Sequence, residues 1–136
     1  MDEIKVPSKI LSEIVEHARQ GYPEEVCGIL AGKEQRVNTI YRMTNTEHSP
    51  VSYFMDPKEQ FQVMKDMRQK DLQMLAIYHS HPDSVAYPSA KDVRLAFYDD
   101  VAYIIVSLAE EPPEVRAFEI KEGKVREIKL IEIKEQ

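Results

Sequence analysis

The stretch Ala76-Ile77-Tyr78-His79-Ser80-His81-Pro82, answered by Ser89-Ala90-Lys91-Asp92 after seven residues beyond His81 have intervened, decides how this chain is read. Residues 72–78 form an apolar run that reads as a strand ending in two histidines, and Ser89 opens a helix expected to run to about Phe97. Alternate side chains of a strand share a face, so His79 and His81 point the same way, about 6.5 to 7 Å apart along the chain. Two imidazoles leaning inward at that spacing can both reach one ion at bonds of about 2 Å, and Asp92 can add an oxygen. Two His and one Asp leave a fourth tetrahedral position open, the pattern of a catalytic rather than a structural zinc. A plainer reading makes the histidines loop residues and Ser89-Ala90-Lys91-Asp92 a helix cap. The two are compatible, because a capping hydroxyl accepts a backbone N–H bond and still has its own proton to donate.

Upstream, residues 3–6 read as a short strand, and Ser8 as the cap of a helix with Ile10, Leu11, Ile14, Val15 and Ala18 on one face. Gly21 and Pro23 end that helix. Residues 26–31 read as a buried strand closed by a turn at 32–35. Residues 37–43 and 51–55 read as two more strands, separated by a polar loop through Asn45 and Pro50. Asp56-Pro57-Lys58-Glu59 is a helix start, with an Asp cap, Pro at the first helical position and Glu three residues after the cap. That helix should reach about Lys70, with Phe61, Val63, Met64 and Met67 on its apolar side; the methionine stripe reads as core filler. Downstream, residues 101–108 are the most β-prone run and read as a central strand, and 114–120 with 125–133 read as a hairpin turning at Glu122-Gly123-Lys124.

With 136 residues, 43% of them hydrophobic and 31% charged, the chain has the length and composition of one globular domain, spanning 1–136. It has no apolar run near the roughly 20 residues of a membrane span. Met1-Asp2-Glu3 lacks the basic and apolar regions of a signal peptide, which gives a cytoplasmic reading. One cysteine, Cys27, rules out an intrachain disulfide and a zinc site of cysteine pairs, so a metal must rest on His and carboxylates. A net charge of -6 without basic clusters argues against nucleic acid as a partner. His17, on the first helix, and His48, in a polar loop, read as solvated. A nucleobase deaminase needs His-x-Glu and a later Cys-x-x-Cys, and a zincin needs His-Glu-x-x-His; neither is present.

His79-Ser80-His81, seven residues, then Ser89-x-x-Asp92 resembles the signature of the JAMM (MPN-plus) metallopeptidase family, and Glu25-Val26-Cys27-Gly28-Ile29-Leu30 resembles that family's Glu-x-Cys-Gly-x-Leu segment. The order and length of the expected elements match over nearly the whole chain. The resemblance implies an α/β (α+β) fold, one MPN/JAB domain with a mixed curved sheet flanked by about three helices in cytidine-deaminase-like layering. It also implies one zinc ion per chain on His79, His81 and Asp92, with Glu25 holding the catalytic water and Ser89 steadying the oxyanion. Glu24 is the adjacent competitor, set aside only by the motif. A strand through residues 25–31 would put Glu25 on a face with Cys27, Ile29 and Ala31, where desolvation would raise its proton affinity and suit a proton shuttle. Cys27 itself reads as a packed thiol rather than a nucleophile, and Gly28 as a place of close backbone approach.

The activity implied is hydrolysis of a peptide or isopeptide bond after the Gly-Gly tail of a ubiquitin-like or sulfur-carrier protein. The short connection between Phe97 and Val101 lacks the insertion that ubiquitin-handling relatives often carry, so a small ubiquitin-like or sulfur-carrier partner is the first expectation. An extended tail would lie on a strand edge, with 37–43 and 51–55 as candidates. Two other readings stay open, a non-catalytic scaffold and a hydrolase of a small amide.

Overall fold

Alternation along the strands sorts the apolar residues into two cores on opposite faces of one sheet, and that sorting sets the direction of the histidine pair. The computed structural model describes residues 1–134. In chain order its elements are β1 (Glu3–Pro7), α1 (Ser8–Gly21), β2 (Cys27–Lys33), β3 (Arg36–Met43), α2 (Pro57–Gln69), β4 (Gln73–His81), α3 (Ala90–Arg94), β5 (Ala102–Ser107), β6 (Glu114–Lys121) and β7 (Lys124–Ile133). On one face Ile10, Ile14 and Ala18 of α1 pack on Leu30, Ala76, Tyr78 and Ile104. On the other, Met67 of α2 packs with Cys27, Ile29, Ile77 and Tyr103. His79 and His81 are in step with Ile77 and so stand on the α2 face, at the end of β4.

The strands hydrogen-bond in the order β1-β3-β2-β4-β5-β6-β7, and β1 closes them into a ring. β4 and β5 run parallel, as does β1 with both its neighbours, and the other pairs are antiparallel, so the mixed sheet with three helices is as expected. The two sides of the closure are unequal: β1 meets β7 from Glu3↔Lys129 to Pro7↔Ile133, but meets β3 only at Lys5↔Arg36. Gly28 of β2 lies under the Tyr78 ring of β4, and a Cβ there would come within 2.2 Å of it. The close approach expected at this glycine is present, and its cause is that ring. No helix among the described residues is long and apolar enough to cross a membrane.

Four local expectations need correction. Pro7, not Ser8, occupies the N-cap of α1, and the Ser8 hydroxyl donates instead to Glu132 Oε2 at 2.6 Å. Residues 51–55 form no strand and offer no strand edge. Their one ladder contact is an isolated bridge between Asn45 and Met55, because the Asn45 side chain takes up backbone groups that a partner strand would bind. α3 stops at Arg94, because the Tyr98 N–H donates to the Tyr103 hydroxyl at 3.1 Å and leaves the helical path. Phe61 on α2 is 63% exposed, beneath Lys65, rather than part of the core. The Asp56 cap of α2 forms as expected, accepting from Lys58 N at 2.9 Å. Glu59, however, turns to Thr44, accepting from its N–H and its hydroxyl, both at 2.7 Å.

Candidate metal centre

β4 delivers both imidazoles, and α3 begins where its third residue, Asp92, can face them. His79 Nε2 and His81 Nε2 lie 3.1 Å apart, and each is 3.1 Å from Asp92 Oδ2. His79 and His81 are buried. Three ligands about 2 Å from one zinc ion stand about 3.3 Å from each other in a tetrahedral set, so this triangle has the size of a metal site. Its hydrogen bonding makes the same point. His81 Nδ1 donates to the Val85 carbonyl at 2.8 Å, which in a neutral ring leaves Nε2 as a bare lone pair. That lone pair faces a carboxylate oxygen and a second imidazole, an arrangement that calls for a cation, either a proton on the ring or a metal ion. Burial and the Asp92 contact act oppositely on the rings: desolvation dominates at His79 and lowers its proton affinity, while at His81 the Asp92 and Val85 bonds outweigh desolvation and raise it. Burial opposes ionisation of Asp92, yet the hydrogen bonds of His79, His81 and the Ser89 N–H hold its carboxyl well below the usual range. The chain's own residues therefore fit a divalent metal with one position left over.

Ser89 and Asp92 form a reciprocal cap: Asp92 N donates to Ser89 Oγ at 3.1 Å and Ser89 N to Asp92 Oδ2 at 2.9 Å. The carboxylate oxygen that caps the helix is thus the one that faces both imidazoles. Of the two upstream acids, Glu24 is half exposed and paired with the exposed His48 at 3.4 Å, whereas Glu25 is 4% exposed and its Oε1 has no hydrogen-bond partner among the described residues. Desolvation, reinforced by the charges of Asp92 and Glu47 and opposed by His81 and Lys91, pushes the Glu25 carboxyl up to about 8. Glu25 precedes β2 rather than lying in it.

The intervening residue of the histidine pair, Ser80, points to the other face and fastens Val26: Val26 N donates to Ser80 Oγ at 2.8 Å and Ser80 N to the Val26 carbonyl at 3.0 Å. The position of Glu25 is thereby tied to that of the histidines. His17, expected in solvent, is instead partly buried against Tyr78, with Nδ1 2.7 Å from the phenol oxygen. Burial, helped by the Arg42 charge and opposed by Glu13, lowers its pKa to about 4. Cys27 is fully buried, and desolvation raises its thiol to about 12, in keeping with a packing role. Two residues beside the site carried no motif, Tyr53, whose ring stacks on His79 at 4.6 Å, and Asn45, whose Nδ2 donates to the Glu25 carbonyl at 3.0 Å; the only trace of Asn45 was its place in a polar loop.

Among known proteins, residues 7–121 match the family described as prokaryotic homologs of the JAB domain. The chain is 39% identical over 125 residues to the CysO-cysteine peptidase of Mycobacterium tuberculosis (strain ATCC 25618 / H37Rv), covering 90% of this chain and 86% of that protein. It is 35% identical over 108 residues to a desampylase of Pyrococcus furiosus, covering 79% and 75%. The solution structure of protein DSY2949 from Desulfitobacterium hafniense has a TM-score of 0.88 and 41% identity, covering 97% and 94%. The chain therefore belongs to the prokaryotic JAB-domain family and is a JAMM-type hydrolase acting on peptide or isopeptide bonds.

Proposed function

We propose that this protein is a zinc metallopeptidase that cuts the amide bond following the Gly-Gly tail of a small ubiquitin-like or sulfur-carrier protein. In this reading one zinc ion per chain sits on His79, His81 and Asp92. The reading rests on one observation above all: two imidazole nitrogens and a carboxylate oxygen converge at 3.1 Å, near a buried carboxylate with an oxygen unpartnered among the described residues. Zinc held there supplies Lewis acidity, which makes water a stronger acid and polarises a carbonyl. Glu25 takes the proton of the attacking water as its oxygen bonds to the amide carbon. It then gives that proton to the nitrogen as the C–N bond breaks, since an amine leaves poorly unless protonated. The elevated proton affinity of Glu25 suits both halves of this transfer. Ser89 accepts from Asp92 N yet keeps its own proton, which it can donate to the carbonyl oxygen as charge develops there.

The substrate class is supported by the relatives, which include the CysO-cysteine peptidase and a Thermus thermophilus protein named as a probable TtuB-protein conjugate cleaving protease. A slot of about 100 Å³ opens beside Asp92 between Phe54, Leu95 and Phe97, and has the size and apolar lining for an aliphatic side chain of an extended tail. Mass spectrometry of a Gly-Gly-tailed carrier conjugate before and after incubation with zinc-loaded protein tests the reading and locates the cut. The expected product ends at the second glycine. No cut in several such carriers would overturn the substrate class. A protein holding well under one zinc per chain, with no gain after zinc addition, would return the scaffold reading.

A further inference from the structure

Histidines that bind a metal almost always donate the second ring N–H to an oxygen that fixes the ring's orientation. His81 obeys this rule through the Val85 carbonyl. His79 does not: its Nδ1 is buried with no partner among the described residues. What lies against His79 instead is the ring of Tyr53, stacked at a centroid separation of 4.6 Å and an interplanar angle of 27°. Tyr53 belongs to the 44–56 loop, which has one isolated bridge in place of a strand ladder and is spanned by the hydrogen bonds of one buried side chain. Asn45 is buried and makes four hydrogen bonds: its Nδ2 donates to the Glu25 and Ser52 carbonyls, both at 3.0 Å, and its Oδ1 accepts from Glu47 N at 3.0 Å and Phe54 N at 3.1 Å. The same loop takes the Glu25 N–H on the Ser49 carbonyl at 2.8 Å. Both backbone polar groups of Glu25 are therefore held by the loop that also carries the ring facing His79.

We infer that the 44–56 loop is the positioning device of the metal centre. Tyr53 replaces the missing hydrogen-bond support of His79, and Asn45 sets both Tyr53 and the backbone of Glu25. Neither residue touches the reacting atoms; each acts through a group that does. The inference rests on the proposed function for the part concerning Glu25, while the part concerning His79 requires only that the site bind zinc.

The test separates these parts. Zinc affinity, measured by competition with a chromogenic chelator, should fall about tenfold in Tyr53→Leu, which keeps bulk but not the ring. Affinity should be restored in Tyr53→Phe, which keeps the ring but not the hydroxyl. Asn45→Asp retains the two acceptor bonds and loses the two donated ones. It should lower kcat at least tenfold with KM changed less than threefold, at a zinc affinity between those of wild type and Tyr53→Leu. Equal zinc affinity in wild type and Tyr53→Leu overturns the support of His79, and so does Tyr53→Phe binding as weakly as Tyr53→Leu. Unchanged kcat in Asn45→Asp overturns the hold on Glu25. If no carrier is cut by wild type, the proposed substrate has failed, and the chelator measurement still decides the role of Tyr53.

Discussion

At the scale of single residues, Glu25 is where function and stability pull apart. A carboxyl raised to about 8 by burial binds its proton more tightly folded than unfolded. Its contribution is therefore present in full below its ordinary value of 4.5 and is lost as pH rises through 8. In metal-free protein, Glu25→Gln should gain stability over wild type between pH 5 and pH 9, by on the order of 1–3 kcal/mol in urea denaturation. The same variant should hold zinc and lose at least a hundredfold in rate, whereas His81→Ala and Asp92→Ala should lose the metal. A Glu25→Gln variant that still turns over would move the proton transfer to another group, with Glu24 next in sequence. His17 has the opposite sign. Its pKa is depressed from 6.5 to about 4, so its share of stability is intact above pH 6.5 and lost as pH falls toward 4. Thermal melts from pH 7 to 4 should show a shallower acid loss for His17→Gln than for wild type; superimposable curves would rule this out. This role could not be read from the sequence, because the partner, Tyr78, lies 61 residues away.

At the scale of elements, what could be read locally was what local chemistry decides. The apolar spacing of α1 and the Asp56-Pro57 start of α2 needed no distant partner to be recognised. The alternation of β4 likewise identified the face shared by the two histidines, and the His79, His81 and Asp92 ligand atoms do come together in space. Residues 51–55 misled because β propensity describes side chains suited to a sheet and is blind to an asparagine side chain that satisfies the backbone first. The end of α3 was missed for a related reason, a phenol oxygen taking one N–H. Strand packing supplies a sharper prediction. At Gly28 a methyl group would meet the Tyr78 ring at 2.2 to 2.5 Å, between two strands that cannot part without disturbing His79. Gly28→Ala should cost about 1–3 kcal/mol in denaturant unfolding, the usual penalty of overpacking. A smaller loss would mean that the Tyr78 ring turns away freely.

For the whole molecule, the centre joins segments distant in sequence, since the proposed ligands come from β4 and α3 while the proposed base stands ahead of β2. A metal that binds only the folded arrangement stabilises by mass action, about 2.7 kcal/mol at a hundredfold excess over its dissociation constant. Zinc should then raise the melting temperature by on the order of 10 °C. A chelator should reverse the shift, and Asp92→Ala should show none. The ring of strands has its own weak point. Between β1 and β3 a single residue pair completes the circle, whereas its other junctions are longer ladders. Such a structure behaves less like a hoop than like a belt fastened by one hole. Thermal breathing should begin at that buckle, with β1 leaving in company with β7, so that deuterium enters the β3 amides turned away from β2 well before it reaches those shared by β4 and β5. The strands that carry the histidine pair would then be among the last to feel the opening.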